Sequence, residues 1–184
     1  KSDEPVKPDD PADVKISMSK VTVNVAATDL TYNGKEQKPA VSLSYGGKAL
    51  TNGTDYTVTY AAGCKNVGRY NITITGKGKY TGSVVKTFNI NPMGQKIKKI
   101  KAGKKSMTVI WKPLKTKMST ATITGYEVRY SLKKTMAKAK VKNVKKFKKK
   151  NVKIKKLKAK KKYFVQMRTY MKVGSVTLYS TWSK

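Results

Sequence analysis

Apolar side chains recur at alternate positions in short segments along this 184-residue chain, and no stretch repeats them with helical periodicity over three turns. In the first half Val21, Val23 and Val25 share one parity, as do Tyr56, Val58 and Tyr60, then Tyr70, Ile72 and Ile74, and more loosely Val85, Phe88 and Ile90. Successive side chains of a strand point to opposite faces, so each set predicts a strand with one buried face. Tyr32-Asn33-Gly34-Lys35, Tyr45-Gly46-Gly47-Lys48 and Thr51-Asn52-Gly53-Thr54 separate these segments. Asn-Gly and Gly-Gly accept the positive φ that tight hairpin turns demand. The second half repeats the pattern with Met107, Val109 and Trp111, then Tyr126, Val128 and Tyr130, Ala139 and Val141, Val152 and Ile154, and Tyr163, Val165 and Met167. Each of these sets is expected to turn one face inward. Many short strands at this spacing predict an all-β chain of two tandem β-sandwiches.

Charge divides the chain at Asn91-Pro92-Met93-Gly94: the residues up to Gly94 carry a net +4 and those beyond it +29, which together make the +33 of the whole. Beyond the division 28 lysines, Arg129 and Arg168 stand against one acid, Glu127, and Lys133 to Lys162 holds 17 lysines in 30 residues. Halves this different predict two domains, 15–91 and 92–184, after a flexible linker at 1–14 rich in Lys, Asp, Glu and Pro. Pro92 restricts the residue before it and shortens interdomain freedom. Linker composition at the start reads as the cut edge of a longer protein, so targeting signals are left open. The apolar runs fall far below the roughly 18 residues that a membrane span requires.

The chain has no His, which removes imidazole from both proton transfer and metal ligation, and its lone cysteine, Cys64, excludes intrachain disulfides and multi-Cys zinc sites. Catalysis by paired carboxylates needs two acids that meet. Glu127 is alone in the second half, where it is expected to face outward beside Arg129 in a surface ion pair. Asp29, Glu36 and Asp55 lie in or beside turns, where such side chains commonly cap backbone N–H groups. Gly76-Lys77-Gly78 lacks the spacing of a phosphate-cradling loop. No enzyme activity, no cofactor and no metal site is therefore expected, and Cys64 reads as a small loop residue rather than a reactive thiol.

Motifs in the first half resemble a known family. Leu30-Thr31-Tyr32-Asn33-Gly34-Lys35, Gly53-Thr54-Asp55-Tyr56-Thr57-Val58, Asn66-Val67-Gly68 and Ile74-Thr75-Gly76-Lys77-Gly78-Lys79-Tyr80-Thr81-Gly82 follow one another as in a bacterial Ig-like repeat. That resemblance implies a stalk or adhesive module of a Gram-positive surface or secreted protein, without a shared active site. The second half is similar to fibronectin type III domains through Trp111-Lys112-Pro113, Gly125-Tyr126-Glu127-Val128-Arg129-Tyr130, and Leu157 six residues before Tyr163. This similarity implies that Trp111, Leu157 and Tyr163 are core residues, with Leu157 and Tyr163 flanking a tyrosine corner. The corner usually carries Pro-Gly, whereas here it reads Lys158-Ala159-Lys160. The terminal Tyr179-Ser180-Thr181-Trp182-Ser183 resembles a partial Trp-Ser-x-Trp-Ser box of cytokine receptors, which implies a cation–π clasp of Trp182 over Arg168. The alternative is that Trp182 covers the open end of the domain.

Lys138, Lys140 and Lys142 alternate with small apolar residues, and Lys153 and Lys155 alternate with Val152 and Ile154. Outward lysines two apart on a strand repeat every 6.6–6.8 Å or so, close to the charge spacing of extended polyanions. Candidate contacts to such a polymer are Lys138, Lys140, Lys142, Lys148, Lys149, Lys150, Lys153 and Lys155. Specific nucleic-acid recognition is not expected, because it favours Arg and stacking aromatics, and only Phe147 interrupts the basic stretch. Three readings stay open: a solubility bias in a pure spacer, attachment to anionic cell-wall polymers or host glycans, and nonspecific nucleic-acid binding. The leading expectation is a monomeric, non-catalytic adhesion or display module, secreted or on the cell surface.

Overall fold

A computed structural model describes residues 14–114, 117–118 and 123–184. Apart from Val14, the linker expected at 1–14 lies outside the described residues. The described chain is built from sixteen strands and a single 3-10 turn at Met18–Lys20. In the first half these are β1 (Ile16–Ser17), β2 (Thr22–Val25), β3 (Asp29–Thr31), β4 (Val41–Tyr45), β5 (Lys48–Ala49), β6 (Tyr56–Tyr60), β7 (Gly68–Gly76), β8 (Tyr80–Thr81) and β9 (Ser83–Asn91). The second half contributes β10 (Ile97–Gly103), β11 (Ser106–Trp111), β12 (Gly125–Ser131), β13 (Lys140–Val144), β14 (Asn151–Ile154), β15 (Phe164–Val173) and β16 (Val176–Tyr179). By compactness the chain divides into two units. One comprises the chain up to Thr28 with Lys38–Ala62 and Tyr70–Phe88, the other Asp29–Gln37, Gly63–Arg69 and Asn89–Lys184.

The earlier strands form a three-stranded sheet in the order β2-β4-β5, a four-stranded sheet in the order β3-β9-β7-β6, and the short parallel pair β1-β8. Gly46 and Gly47, with φ of 55° and 77°, form the two-residue turn that sets Tyr45 opposite Lys48. Two successive positive φ values match the right-handed twist of a hairpin, and glycine adopts them without a Cβ clash. Met18, Leu43, Tyr56, Ile72, Ile74 and Phe88 are buried. Phe88 receives Tyr60 edge-on at 6.4 Å and a tilted Tyr70 at 5.6 Å. Val85 departs from its predicted set. It is 57% exposed, because Phe88 and Ile90 share the opposite parity of β9. Cys64 lies in a loop as read from the sequence, but its side chain is buried.

The later strands make a three-stranded sheet, β10-β11-β14, and a four-stranded sheet, β13-β12-β15-β16, so the predicted tandem sandwiches are the architecture of the chain. Met107, Val109 and Trp111 of β11, Tyr126 and Val128 of β12, Ile154 of β14, Met167 and Met171 of β15 and Leu178 of β16 fill the core of this half. Trp111 and Tyr126 pack at 5.1 Å between ring centroids. The Tyr126 hydroxyl donates to the Phe147 carbonyl and accepts from the Leu114 N–H, so the buried phenol is satisfied twice. Burial raises its pKa above the usual tyrosine value.

Strand β13 corrects the sequence reading. Its register sets Lys140 opposite Tyr130, Lys142 opposite Val128 and Val144 opposite Tyr126. Cross-strand partners share a face, so Lys140 and Lys142 have the parity of the core and Val141 has the outer one. Val141 is accordingly 53% exposed, while Val144 is buried. The arrangement is tolerated because β13 is an edge strand of its sheet among the described residues. Long lysine stems cover the rim of the core while their ammonium groups reach water, and inward-facing charges block edge-to-edge pairing. Lys138 precedes the strand, in a turn with φ of 53°.

Candidate functional site

Two constellations of polar side chains stand out in the second half, on different faces. The first is on the outer face of β12, β15 and β16. Glu127 lies opposite Arg168, and Arg129 opposite Gln166. Arg168 donates from Nε and Nη2 to Glu127 Oε2, each at 2.7 Å, and Arg129 donates from Nε to Gln166 Oε1 at 2.8 Å. Both guanidinium planes are thereby held by a neighbour in the sheet. The terminal segment then folds back over them. Ser180 and Ser183 hydroxyls accept from the backbone N–H groups of Thr169 and Met167, and their own N–H groups donate to the carbonyls of the same two residues. This zipper lays Trp182 between Arg129, 4.3 Å from its ring, and Arg168, 4.4 Å away, while Arg168 also covers Tyr179 at 3.9 Å. The result is a ladder of alternating guanidinium and aromatic groups: Arg129, Trp182, Arg168, Tyr179. Trp182 over Arg168, proposed from the sequence, is thus brought together, and Arg129 joins from the other side.

Glu127 differs from expectation. It has the outer-face parity predicted and pairs with a neighbouring cation, Arg168, but it is only 8% exposed, so the pair is not a surface one. The neighbouring Tyr170 is pushed up in pKa by burial, then by the Glu127 carboxylate and by Tyr179. Arg129 is pushed down by burial and by the charge of Arg168. The only acid of the second half is therefore committed to a structural pair. Among the described residues, no group of three or more Cys, Asp or Glu side chains is placed to hold a metal.

The tyrosine corner is formed without Pro-Gly. Tyr163 Oη accepts from the Lys158 N–H at 3.0 Å, and Lys160 takes the left-handed backbone, φ 53°, that such a turn needs. Trp111 and Leu157 are buried, and Tyr163 is half-buried against Tyr130 at 6.2 Å. Among the described residues Lys160 is one of four lysines with positive φ, the others being Lys105, Lys138 and Lys156. A left-handed conformation costs an L-residue about 1–2 kcal/mol that glycine does not incur.

The second constellation lies along β13 and β14, each an edge strand of its sheet among the described residues. Three hollows follow one another along this seam. The first, about 490 Å³, is lined by Asn143, Lys145, Lys146, Lys149, Asn151 and Lys153 among others. The second, about 380 Å³, has Lys153 in common with it and adds Tyr130, Lys142, Lys155 and Lys156. The third, about 470 Å³, shares Tyr130, Lys155 and Lys156 and adds Lys133, Lys138, Lys140 and Lys158. The hollows adjoin one another through these shared residues and together line a furrow along the seam, and no acidic residue lines any of them. Of the candidate contacts, Lys138, Lys140, Lys142, Lys149, Lys153 and Lys155 line it. Lys148 and Lys150 do not. Lys148 Nζ lies 5.9 Å over the Phe147 ring, and the Lys150 carbonyl accepts from the Trp111 N–H. Sequence reading missed Lys133, Lys145, Lys146, Lys156 and Lys158, which lie outside the strands, where parity gives no signal.

Three strands facing four, closed by a tyrosine corner, define a fibronectin-like β-sandwich. Residues 91–183, half of the chain, match the fibronectin type III domain, and the chain belongs to that family. No curated protein matches it. Among solved structures it is similar to the chicken CNTN1 FN1-FN3 domains, with 14% identity and a TM-score of 0.40, covering 92% of this chain and 68% of that one. It is also similar to domains A168-A170 from titin, with 15% identity and a TM-score of 0.39, covering 89% of this chain and 63% of that one. No helix of the described residues is long and apolar enough to cross a membrane.

Proposed function

We propose that the chain is a non-catalytic adhesion and display segment of a Gram-positive surface or secreted protein, in which 15–91 is a bacterial Ig-like repeat and 92–184 a fibronectin type III module that attaches to anionic polymers of the wall or of host glycans. Fibronectin type III domains commonly serve adhesion and spacer roles, and the family is typically non-catalytic. The observation that carries the reading is the furrow along β13 and β14, walled by lysines and by no acid. Lysine ammonium groups on flexible stems follow a polymer whose shape is not fixed, and displaced counterions drive the binding. At physiological ionic strength the field extends only about 8 Å, so attachment acts at contact rather than at range.

Retention of the whole chain on wall polymer, on sulfated glycan and on an uncharged glycan, each eluted with a salt gradient, tests this. Retention on the anionic supports at about 0.15 M salt is the expected result. Elution from all three below that concentration would leave the spacer role in its place.

A further inference from the structure

The furrow has features that point to one ligand class, in a deepening that rests on the adhesion reading above. Its charged walls are lysine alone, because the two arginines of this half, Arg129 and Arg168, are both held in the ladder on the outer face. Lysine ammonium holds phosphate as a compact, strongly hydrated point charge without fixing its orientation, which suits a polymer of variable conformation, whereas the planar fork of arginine would impose one bidentate geometry on each phosphate. Its aromatic side chains, Tyr130 and Tyr163, pack against each other at the border of the core, so neither ring offers a free platform for a nucleobase. Lys140 and Lys142 repeat at the two-residue spacing of a strand, roughly 6.6–6.8 Å, which suits a phosphodiester chain with a short backbone between charges.

The backbone supplies an independent sign. Lys138 and Lys156 hold left-handed conformations, φ 53° and 60°, and both line the furrow. Lys105 and Lys160, with φ of 46° and 53°, line the next hollow, of about 520 Å³, which shares Leu157, Lys158 and Tyr163 with the furrow. Strained backbone of this kind concentrates where a side chain must be presented in one direction. Asparagine or glycine would relieve the strain and remove the charge.

We propose that the seam between β13 and β14 binds a base-free phosphodiester polymer of the poly(alditol phosphate) type, laid lengthwise along the furrow. Lys142 and Lys153 face one phosphate from opposite strands, Lys140 and Lys155 face a neighbouring one, and Lys138 and Lys156 close over that end. Binding is reversible and involves no covalent step.

The test uses the whole chain and a fluorescent poly(glycerol phosphate) of about 20 repeats, followed by anisotropy near 0.15 M salt. The variant Lys140→Gln/Lys142→Gln/Lys153→Gln/Lys155→Gln is expected to lose at least about tenfold in affinity. The charge-matched variant Lys98→Gln/Lys99→Gln/Lys101→Gln/Lys172→Gln, altered on β10 and β15, is expected to lose less than about threefold. Equal losses would overturn the furrow while leaving general cationic attachment intact. No binding by the unaltered chain to this polymer, to heparin or to DNA would sink the adhesion reading itself. Lys138→Asn/Lys156→Asn guards against a folding artefact, because it is expected to raise Tm and yet weaken binding about threefold. A raised Tm with unchanged affinity would contradict the role given to the strained lysines. Charge-matched thymidine oligonucleotide and heparin fragment serve as competitors. Competition by either one more strongly than by unlabelled poly(glycerol phosphate) would overturn the ligand class.

Discussion

Replacing Arg168 by Ala removes the centre of the ladder, and the expected loss can be worked from its surroundings. The guanidinium donates twice to Glu127 and lies between Trp182 at 4.4 Å and Tyr179 at 3.9 Å. Breaking a fully buried pair by removing one partner costs about 3–5 kcal/mol, because a buried charge is left uncompensated. The Arg168 side chain is 25% exposed and that of Glu127 11%, so water can partly reach the abandoned carboxylate. A discounted loss of about 2 kcal/mol follows for the pair, with about 0.5–1 kcal/mol more for each lost cation–π contact. The sum is about 3–4 kcal/mol, or roughly a 12–32 °C fall in Tm for a module of this size. Both tryptophans of the chain, Trp111 and Trp182, lie in the second half, so intrinsic tryptophan fluorescence reports its melting apart from that of the first. Arg168→Lys keeps the charge but loses the fork and the planar stack, and should fall between Ala and the unaltered chain. Glu127→Gln leaves Arg168 partly hydrated and still stacked, so it should cost about 1–2 kcal/mol. A Tm for Arg168→Ala within about 3 °C of the unaltered value would refute the reasoning and leave Trp182 as mere cover for the end of the domain.

Other outcomes follow from single contacts. Tyr163→Phe removes the acceptor of the Lys158 N–H and should cost about 1 kcal/mol, read as the shift in the fluorescence melt. Lys160→Asn should stabilise the same corner by about 0.5–1 kcal/mol, since asparagine tolerates the left-handed backbone better than lysine. Asp29 accepts from Asn89 and Asn91, which hold its carboxyl below the ordinary carboxylate value, Asn89 contributing most and Arg69 adding to the effect. A depressed folded value means that this stabilisation is present above the ordinary value of 3.8 and is lost as pH falls through the depressed one. Stability of the folded chain, followed by far-UV circular dichroism against pH, should therefore decline more shallowly below pH 3.8 in Asp29→Asn than in the unaltered chain.

The sandwiches were legible because alternation is a local signal: Met107, Val109 and Trp111, or Tyr126 and Val128, declare a buried face whatever surrounds them. Strand β13 was not, because Lys-Ala-Lys-Val-Lys-Asn-Val is compatible with either parity. The choice was made by the anchoring of Val144 against Tyr126 and by the open edge, which lets lysines of core parity reach water. The outer-face position of Glu127 could be read from parity, but its burial could not, since it depends on the pairing across the sheet with Arg168. Trp182 over Arg168 was visible through the terminal motif, whereas Arg129 on the other side of the ring required the register of β12 with β15. The lysines of the turns, Lys156 and Lys158 above all, gave no signal because glycine and asparagine, not lysine, mark positive φ and tight corners.

Lysine acetylation footprinting, read by mass spectrometry with and without bound poly(glycerol phosphate), tests the polyanion furrow most directly. Protection of Lys140, Lys142, Lys153, Lys155 and Lys156, with Lys98, Lys99, Lys101 and Lys172 modified as freely as in the unbound chain, is the predicted result. Protection spread evenly over both sets, or absent from both, would contradict it.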